Sequence, residues 1–257
     1  MNSNAVSIKN LHFAYECNVI YDDFSIDVKN NSIFFIMGVN GCGKTTLLKL
    51  ICGFLKASNG EIIVNGKSLE EYDSKSLSKQ IAYVPQVMNL NSDFLVKDYL
   101  ALGRTPYKPF YSSIDCHDYE VVAKYAEWLG ISGWLGKEFC KLSGGQKQLV
   151  TICRCLIQET PIIVLDEPLS ALDMGKQAEF LSLIKKLRGS GKTVILTSHN
   201  PNHALSIKEE SEVCLIHNHQ ILGIGNSESI LSPEYIKSVY GDKVKIDDNK
   251  YIIFNIK

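Results

Sequence analysis

Residues 38–46 read GVNGCGKTT. Gly38, Gly41, Gly43, Lys44 and Thr45 satisfy the spacing G-x-x-x-x-G-K-[ST] in full. Glycines let the backbone curl so that successive N–H groups converge on one concavity. A helix beginning near Thr45 adds the partial positive charge of its N-terminus. Lys44 contributes a mobile point charge for terminal phosphates, and the Thr45 hydroxyl can ligand Mg²⁺. The chemistry implied is the holding of a polyphosphate together with a divalent cation. Cys42 stands where a small serine is more usual in such loops. It is small enough to fit, and it is not read as a redox switch.

A second group follows the apolar run of "IIVLDEP". Its four apolar residues deliver Asp166 and Glu167 to the end of a buried strand. Ligands of open α/β sheets bind at the carboxyl ends of strands, so this end should face the phosphate loop. Asp166 can hold Mg²⁺ through water, and Glu167 can orient or deprotonate an attacking water. Gln86 and His199, each just after a strand, can reach the same place as a Mg²⁺ ligand and a phosphate donor. Tyr15 can stack on an adenine. Each of these three has a plainer reading as a polar cap, a structural histidine or a packing aromatic. The histidine pairs 199/203 and 217/219 find no glutamate to complete H-E-x-x-H, which argues against structural zinc.

A third group lies in "LSGGQKQ", residues 142–148. Ser143, Gly144 and Gly145 open a helix and make a second anion-binding N-terminus. One nucleotide needs one such loop. The simplest reading is two copies of the chain arranged head to tail with shared sites, the alternative being an ordinary glycine helix start.

The elements that must position these groups follow from periodicity. Residues Ile33 to Met37 have the length and composition of a buried parallel strand. "VSIKNLHFAY" and "FSIDV" alternate and predict a small N-terminal β-layer. "EIIVNGKSL" carries an Asn65-Gly66 hairpin turn, and "QIAYVPQ" is a short strand ended by Pro85. From about Val87 to Thr160 helical patterns dominate: "LVKDYLAL", "DYEVVAKYAEWLG" and "GGQKQLVTICRCLIQ". "PIIVLDEP", a helix from about Met174 to Arg188, and "KTVILTSHN" restore α/β alternation. "SEVCLIHNHQILGIG" predicts a hairpin, and the tail "VKIDDNKYIIFNIK" a second one with an Asp-Asp-Asn turn. The expected organisation is one α/β domain over residues 1–257. Its core, residues 1–86 and 161–257, is interrupted by a helical insertion over residues 87–160.

Composition bounds what this assembly can do. At 257 residues and 45% hydrophobic content the chain can build a substantial core, and its net charge of −1 implies no nucleic-acid partner. No run reaches the ~18 apolar residues of a membrane span, and the N-terminus lacks a signal-peptide pattern. The eight cysteines are scattered with no C-x-x-C pair, as expected of reduced thiols. A soluble chain is expected, one able to dock on something that is not.

The order "GVNGCGKTT", "YVPQ", "LSGGQKQ", "VLDEP", "SALD", "SHN" closely resembles the ATP-binding-cassette (ABC) ATPases, from Val6 to about Leu231. The resemblance implies a P-loop nucleoside-triphosphatase core with a parallel sheet, an antiparallel β-layer and an inserted helical subdomain. It implies ATP and Mg²⁺ as cofactors. It assigns Tyr15 to adenine stacking and Gly38, Val39, Asn40, Gly41, Cys42, Gly43, Lys44, Thr45 and Thr46 to the phosphate loop. Gln86 resembles the Mg²⁺-binding and coupling glutamine. Ser143, Gly144 and Gly145 resemble the loop that closes on the other subunit's ATP. Asp166 and Glu167 resemble the Mg²⁺-water and catalytic carboxylates, Asp173 the subunit-contact aspartate, and His199 the switch histidine. Asn200 stands where an aspartate is frequent; neither it nor Cys42 removes a group the chemistry needs.

"VKDYLALGRTPYKPF" is similar to a V-x-x-x-V-x-x-G-R-x-P segment of importers for iron-siderophores, haem and cobalamin. The expected function is therefore the ATP-hydrolysing subunit of such an importer. It would act as a sandwich of two copies on integral membrane permease subunits, served indirectly by a substrate-binding protein, at the cytoplasmic face of the membrane. The loop "GRTPYKPFYSS", with Tyr107, Phe110 and Tyr111, is expected to receive a short permease helix, or else to cap the insertion internally. The rivals are a soluble cassette ATPase of another assembly, such as iron–sulfur cluster construction, and a nucleotide-binding regulator without turnover. Glu167 argues against the regulator, which has no need of a water-activating carboxylate. A chromosome-organising ATPase is excluded by the lack of a long coiled-coil insertion.

Overall fold

The computed structural model describes residues 4–86, 93–109, 112–241, 244–246 and 252–254. The alternating N-terminal segments form β1 (Asn4–Tyr15) and β2 (Asn18–Lys29), paired antiparallel. With β4 (Asn59–Val64) and β5 (Lys67–Ser68) they make a four-stranded sheet in the order β2-β1-β4-β5. The Asn65-Gly66 turn joins β4 to β5 with both residues at positive φ, 47° and 81°, as a tight hairpin requires.

The main sheet contains β3 (Ile33–Met37), β6 (Ile81–Val84), β7 (Ile162–Leu165), β8 (Thr193–Ser198), β9 (Ser211–His217) and β10 (Gln220–Asn226). Its order is β10-β9-β3-β8-β7-β6. All neighbours are parallel except β10, which turns back antiparallel on β9. The hairpin expected over residues 211–225 thus forms an edge of this sheet. Every residue of β3 and β7 is buried. Alternation explains it: Phe34 and Ile36 pack toward the antiparallel layer, while Ile33, Phe35 and Met37 pack toward helices on the other face. A strand covered on both faces reads as an unbroken apolar run.

The helices are α1 (Lys44–Ile51), α2 (Ser74–Leu77), α3 (Val96–Ala101), α4 (Cys116–Trp128), α5 (Gly144–Ile157), α6 (Met174–Gly189), α7 (Asn202–Leu205), α8 (Ser227–Ile230) and α9 (Pro233–Tyr240). One face of α5 sends Ile152, Cys155 and Leu156 to the sheet. The other sends Val150, Cys153 and Ile157 to a separate cluster with Tyr99, Leu100, Val122 and Phe139. α5 is therefore the element through which the helical layer is fixed to the core. Strands β11 (Val244–Ile246) and β12 (Ile252–Phe254) pair antiparallel. The Asp-Asp-Asn turn expected between them lies outside the described residues. Among the described residues no helix is long and apolar enough to cross a membrane.

The proline-rich loop folds back on the end of α5. The Tyr107 hydroxyl donates to Gln158 O at 2.9 Å, and the Arg104 guanidinium stacks on the Tyr107 ring at 4.4 Å. Arg104 is buried; its Nη1 donates to Ile157 O (3.1 Å) and to Glu159 Oε2 (2.9 Å). Tyr107 and Arg104 thus cap the helical layer internally, because a buried guanidinium must spend its donors on nearby acceptors. Phe110 and Tyr111 lie outside the described residues.

Candidate active site

The sheet order puts the carboxyl ends of β3, β8, β7 and β6 side by side. Each end hands over to a polar segment: the glycine loop after β3, His199 after β8, Asp166 and Glu167 after β7, and Gln86 after β6. Between them lies a cleft of about 490 Å³. Parallel strands expose unpaired loops and helix N-termini at this edge, so ligands collect there.

Two glycines set the shape of the loop. Gly38 has φ 151°, and a Cβ on it would sit 2.2 Å from Ile216 O and 2.7 Å from Cys42 Sγ. Gly43 has φ 103°, and a Cβ there would sit 2.6 Å from the Tyr21 hydroxyl. On its packed side the loop therefore has no room for a side chain at either position. Lys44 closes it: Nζ donates to Gly38 O (2.9 Å) and Val39 O (3.0 Å). Cys42 packs into the core beneath the loop, and burial pushes its thiol pKa up, so it stays protonated and unreactive.

The carboxylates are both buried, Asp166 at 1% and Glu167 at 8% exposure. Glu167 adopts φ 46°. Its N–H donates to Thr197 Oγ1 at 2.8 Å, and the same hydroxyl donates to Asp166 Oδ1 at 2.7 Å. His199 Nδ1 lies 2.6 Å from Glu167 Oε2, and Lys44 Nζ lies 3.8 Å from Glu167 Oε1. The Ser170 hydroxyl donates to Glu167 O at 2.9 Å. Below His199, the His203 ring meets Ser198 Oγ at 2.9 Å and Gln177 Oε1 at 3.3 Å. Burial drives its pKa down to about 4.

The sequence candidates divide by place. Asn40, Gly41, Gly43, Lys44, Thr45, Thr46, Gln86, Glu167 and His199 line the cleft. Gly38 and Val39 offer their carbonyls to Lys44 from the base of the loop, and Asp166 sits behind Glu167 against Thr197. Tyr15 is 43% exposed at the end of β1, edge-on to Phe13, and does not line the cleft. Ser143 caps α5 in a reciprocal box with Gln146. With Gly145, Leu172 and Lys176 it lines a different cavity, of about 370 Å³. Asp173 caps α6, accepting from Lys176 N at 2.9 Å. Sequence reasoning missed Ile20 and Ser170, which line the cleft, and Thr197. Ser170 stands three residues after Glu167 and Thr197 two before His199, so proximity to those residues was the available signal.

The donor set fits a polyphosphate with a divalent cation. An ammonium, an imidazole, two hydroxyls and a helix N-terminus offer hydrogen bonds to anionic oxygens. Two carboxylates, one amide and the Thr45 hydroxyl offer the hard oxygen ligands that Mg²⁺ prefers.

Comparison with known proteins gives concordant matches. A family profile described as ABC transporter covers residues 21–170, and a shorter AAA-domain profile covers residues 139–205. The molybdate import ATP-binding protein MolC of Haemophilus influenzae is 33% identical over 93% of this chain and 88% of its own. The achromobactin transport ATP-binding protein CbrD of Dickeya dadantii is 30% identical over 92% and 87%. The iron(3+)-hydroxamate import ATP-binding protein FhuC of Bacillus subtilis is 28% identical over 92% and 88%. Among solved structures, an ABC transporter described as metal-chelate type, in an inward-facing conformation, superposes with TM-score 0.83. It shares 28% identity and covers 98% of both chains.

Proposed function

The chain belongs to the ABC transporter ATPase family, and on that premise we propose that it is the ATP-hydrolysing subunit of a metal-chelate importer, with an iron siderophore as the cargo. The observation that carries the reading is the convergence of Lys44, Gln86, Glu167 and His199 on one cleft from the ends of four adjacent parallel strands. Lys44, the loop N–H groups and Thr46 hold the β- and γ-phosphates. Thr45, Gln86 and, through water, Asp166 would hold Mg²⁺, which would neutralise charge developing on the phosphate oxygens. Glu167 accepts the proton of the attacking water. The new P–O bond forms to that water, the β–γ bridge bond breaks, and ADP leaves with the bonding pair. His199 orients Glu167 through Nδ1 and, with both ring nitrogens protonated, donates to the departing γ-phosphoryl group from Nε2.

Two further parts of the reading rest on placement. Ser143 and Gly145 line a cavity of their own, apart from the phosphate cleft of the same chain. This supports a head-to-tail dimer in which each chain's Ser143 loop closes the other's ATP. Tyr107 bonds Gln158 O and keeps 38% of its surface exposed, and permease docking is assigned to this loop with the surface beside Gln86. The complex would sit at the cytoplasmic face of the membrane, supplied by a substrate-binding protein.

The siderophore assignment draws on FhuC and CbrD and on the G-R-x-P segment at residues 103–106; MolC marks molybdate as the competing cargo. The test is uptake into proteoliposomes holding the chain with its permease partners and a binding protein, with ATP inside. ATP-dependent accumulation of a ferric hydroxamate, and none of molybdate, is expected. Molybdate uptake without ferric-chelate uptake would overturn the cargo, and a chain that turns over ATP but joins no permease would overturn the importer.

A further inference from the structure

We propose that Thr197 is a positioning residue that aligns both carboxylates of the site through one hydroxyl. The proposal rests on the reading of Asp166 and Glu167 given above. It follows from the sheet. Strand β8 lies between β3 and β7, and Leu165 pairs with Leu196, so residue 197 is the lateral neighbour of residue 166. Thr197 has no exposed surface. Its single proton goes to Asp166 Oδ1 at 2.7 Å, and its lone pair receives the Glu167 N–H at 2.8 Å.

Each bond has a consequence for the chemistry. The first occupies one oxygen of Asp166 and leaves the other for a ligand. The second pins the peptide that starts Glu167. That residue sits at φ 46°, a region costly for a side chain with a Cβ, so the peptide needs a partner to hold it there. From the other flank Tyr83 on β6 faces Asp166; burial, and then the carboxylate charge, push the tyrosine's pKa up. The effect expected of changing Thr197 is misalignment of both carboxylates. Removing such an outer partner of a metal-binding carboxylate typically costs 10–100-fold in metal affinity or activity.

The test compares Thr197→Val, which keeps shape and loses both hydrogen bonds, with Thr197→Ser, which keeps the hydroxyl. Two quantities are read: ATP turnover against Mg²⁺ concentration, and Mn²⁺ affinity by electron paramagnetic resonance with a non-hydrolysable ATP analogue. In the valine chain Mn²⁺ should bind about 10–100-fold more weakly and half-maximal turnover should need correspondingly more Mg²⁺. Nucleotide affinity without metal should be unchanged, and serine should restore both readouts to within a few-fold. Thr197→Cys, whose thiol is a weak donor, should behave like valine and replaces it if the valine chain does not fold. Valine and wild type alike in Mn²⁺ affinity, or serine as impaired as valine, would overturn the proposal. A wild-type chain that neither turns over ATP nor binds Mn²⁺ with the nucleotide would instead overturn the reading of the site.

Discussion

His199 Nδ1 lies 2.6 Å from Glu167 Oε2, while Lys44 Nζ lies 3.8 Å from Glu167 Oε1. One buried carboxylate is thus faced by donors from two other loops. Where Nδ1 donates to this carboxylate, Nε2 can donate to a phosphate oxygen only from the doubly protonated ring. His199→Ala should lower ATP turnover by about 10²-fold or more, the usual cost of losing one preorganised donor to developing charge. Nucleotide affinity, governed by the loop and Lys44, should change by only a few-fold. Single-turnover kinetics with parallel equilibrium binding measure both, and turnover near wild type would separate His199 from the chemistry.

The separation of Ser143 from its own cleft predicts association. Glu167→Gln with saturating ATP should run as a dimer by light scattering, and adding Ser143→Arg should return it to monomer. The arginine places a long charged side chain at the capped start of α5 without touching Lys44 or Glu167. A Glu167→Gln chain that stays monomeric with ATP would contradict a shared site formed by this chain alone.

Much of the site was legible because each group follows a short apolar run: Lys44 after Ile33–Met37, Glu167 after Ile162–Leu165. Such runs are strands buried on both faces, and their ends are where polar residues become available to ligands. Thr197 was not legible in this way. A threonine inside "TVILTS" reads as a β-former, and only the pairing of β7 with β8 shows what its hydroxyl meets. The loop around residues 103–109 was legible only in part for a related reason. Arg104 and Tyr107 carry the residue types of an interface centre, and that composition cannot tell an external partner from the end of α5. The sheet order itself, with β8 between β3 and β7, is a long-range fact that local periodicity does not contain.

His203 makes stability depend on pH. Burial lowers its folded pKa to about 4, below the ordinary value near 6.5. The unfolded chain therefore binds the extra proton between those values. Its stabilising contribution is present above about pH 6.5 and is lost as pH falls toward 4, by at most about 1.4 kcal/mol per pH unit. Urea unfolding of wild type and His203→Gln across this range isolates the effect from the carboxylates. The variant should show the shallower slope; equal slopes would remove His203 as the cause.

The central claim is that Glu167 activates water for attack on a nucleotide held by the loop at residues 38–46. Steady-state phosphate release by Glu167→Gln, beside its ATP affinity, tests it most directly. The amide keeps the shape of the side chain and loses the base. The expected result is a loss of turnover of at least ~10²-fold with ATP affinity within a few-fold of wild type. Phosphate release by Glu167→Gln at a rate close to wild type would contradict it.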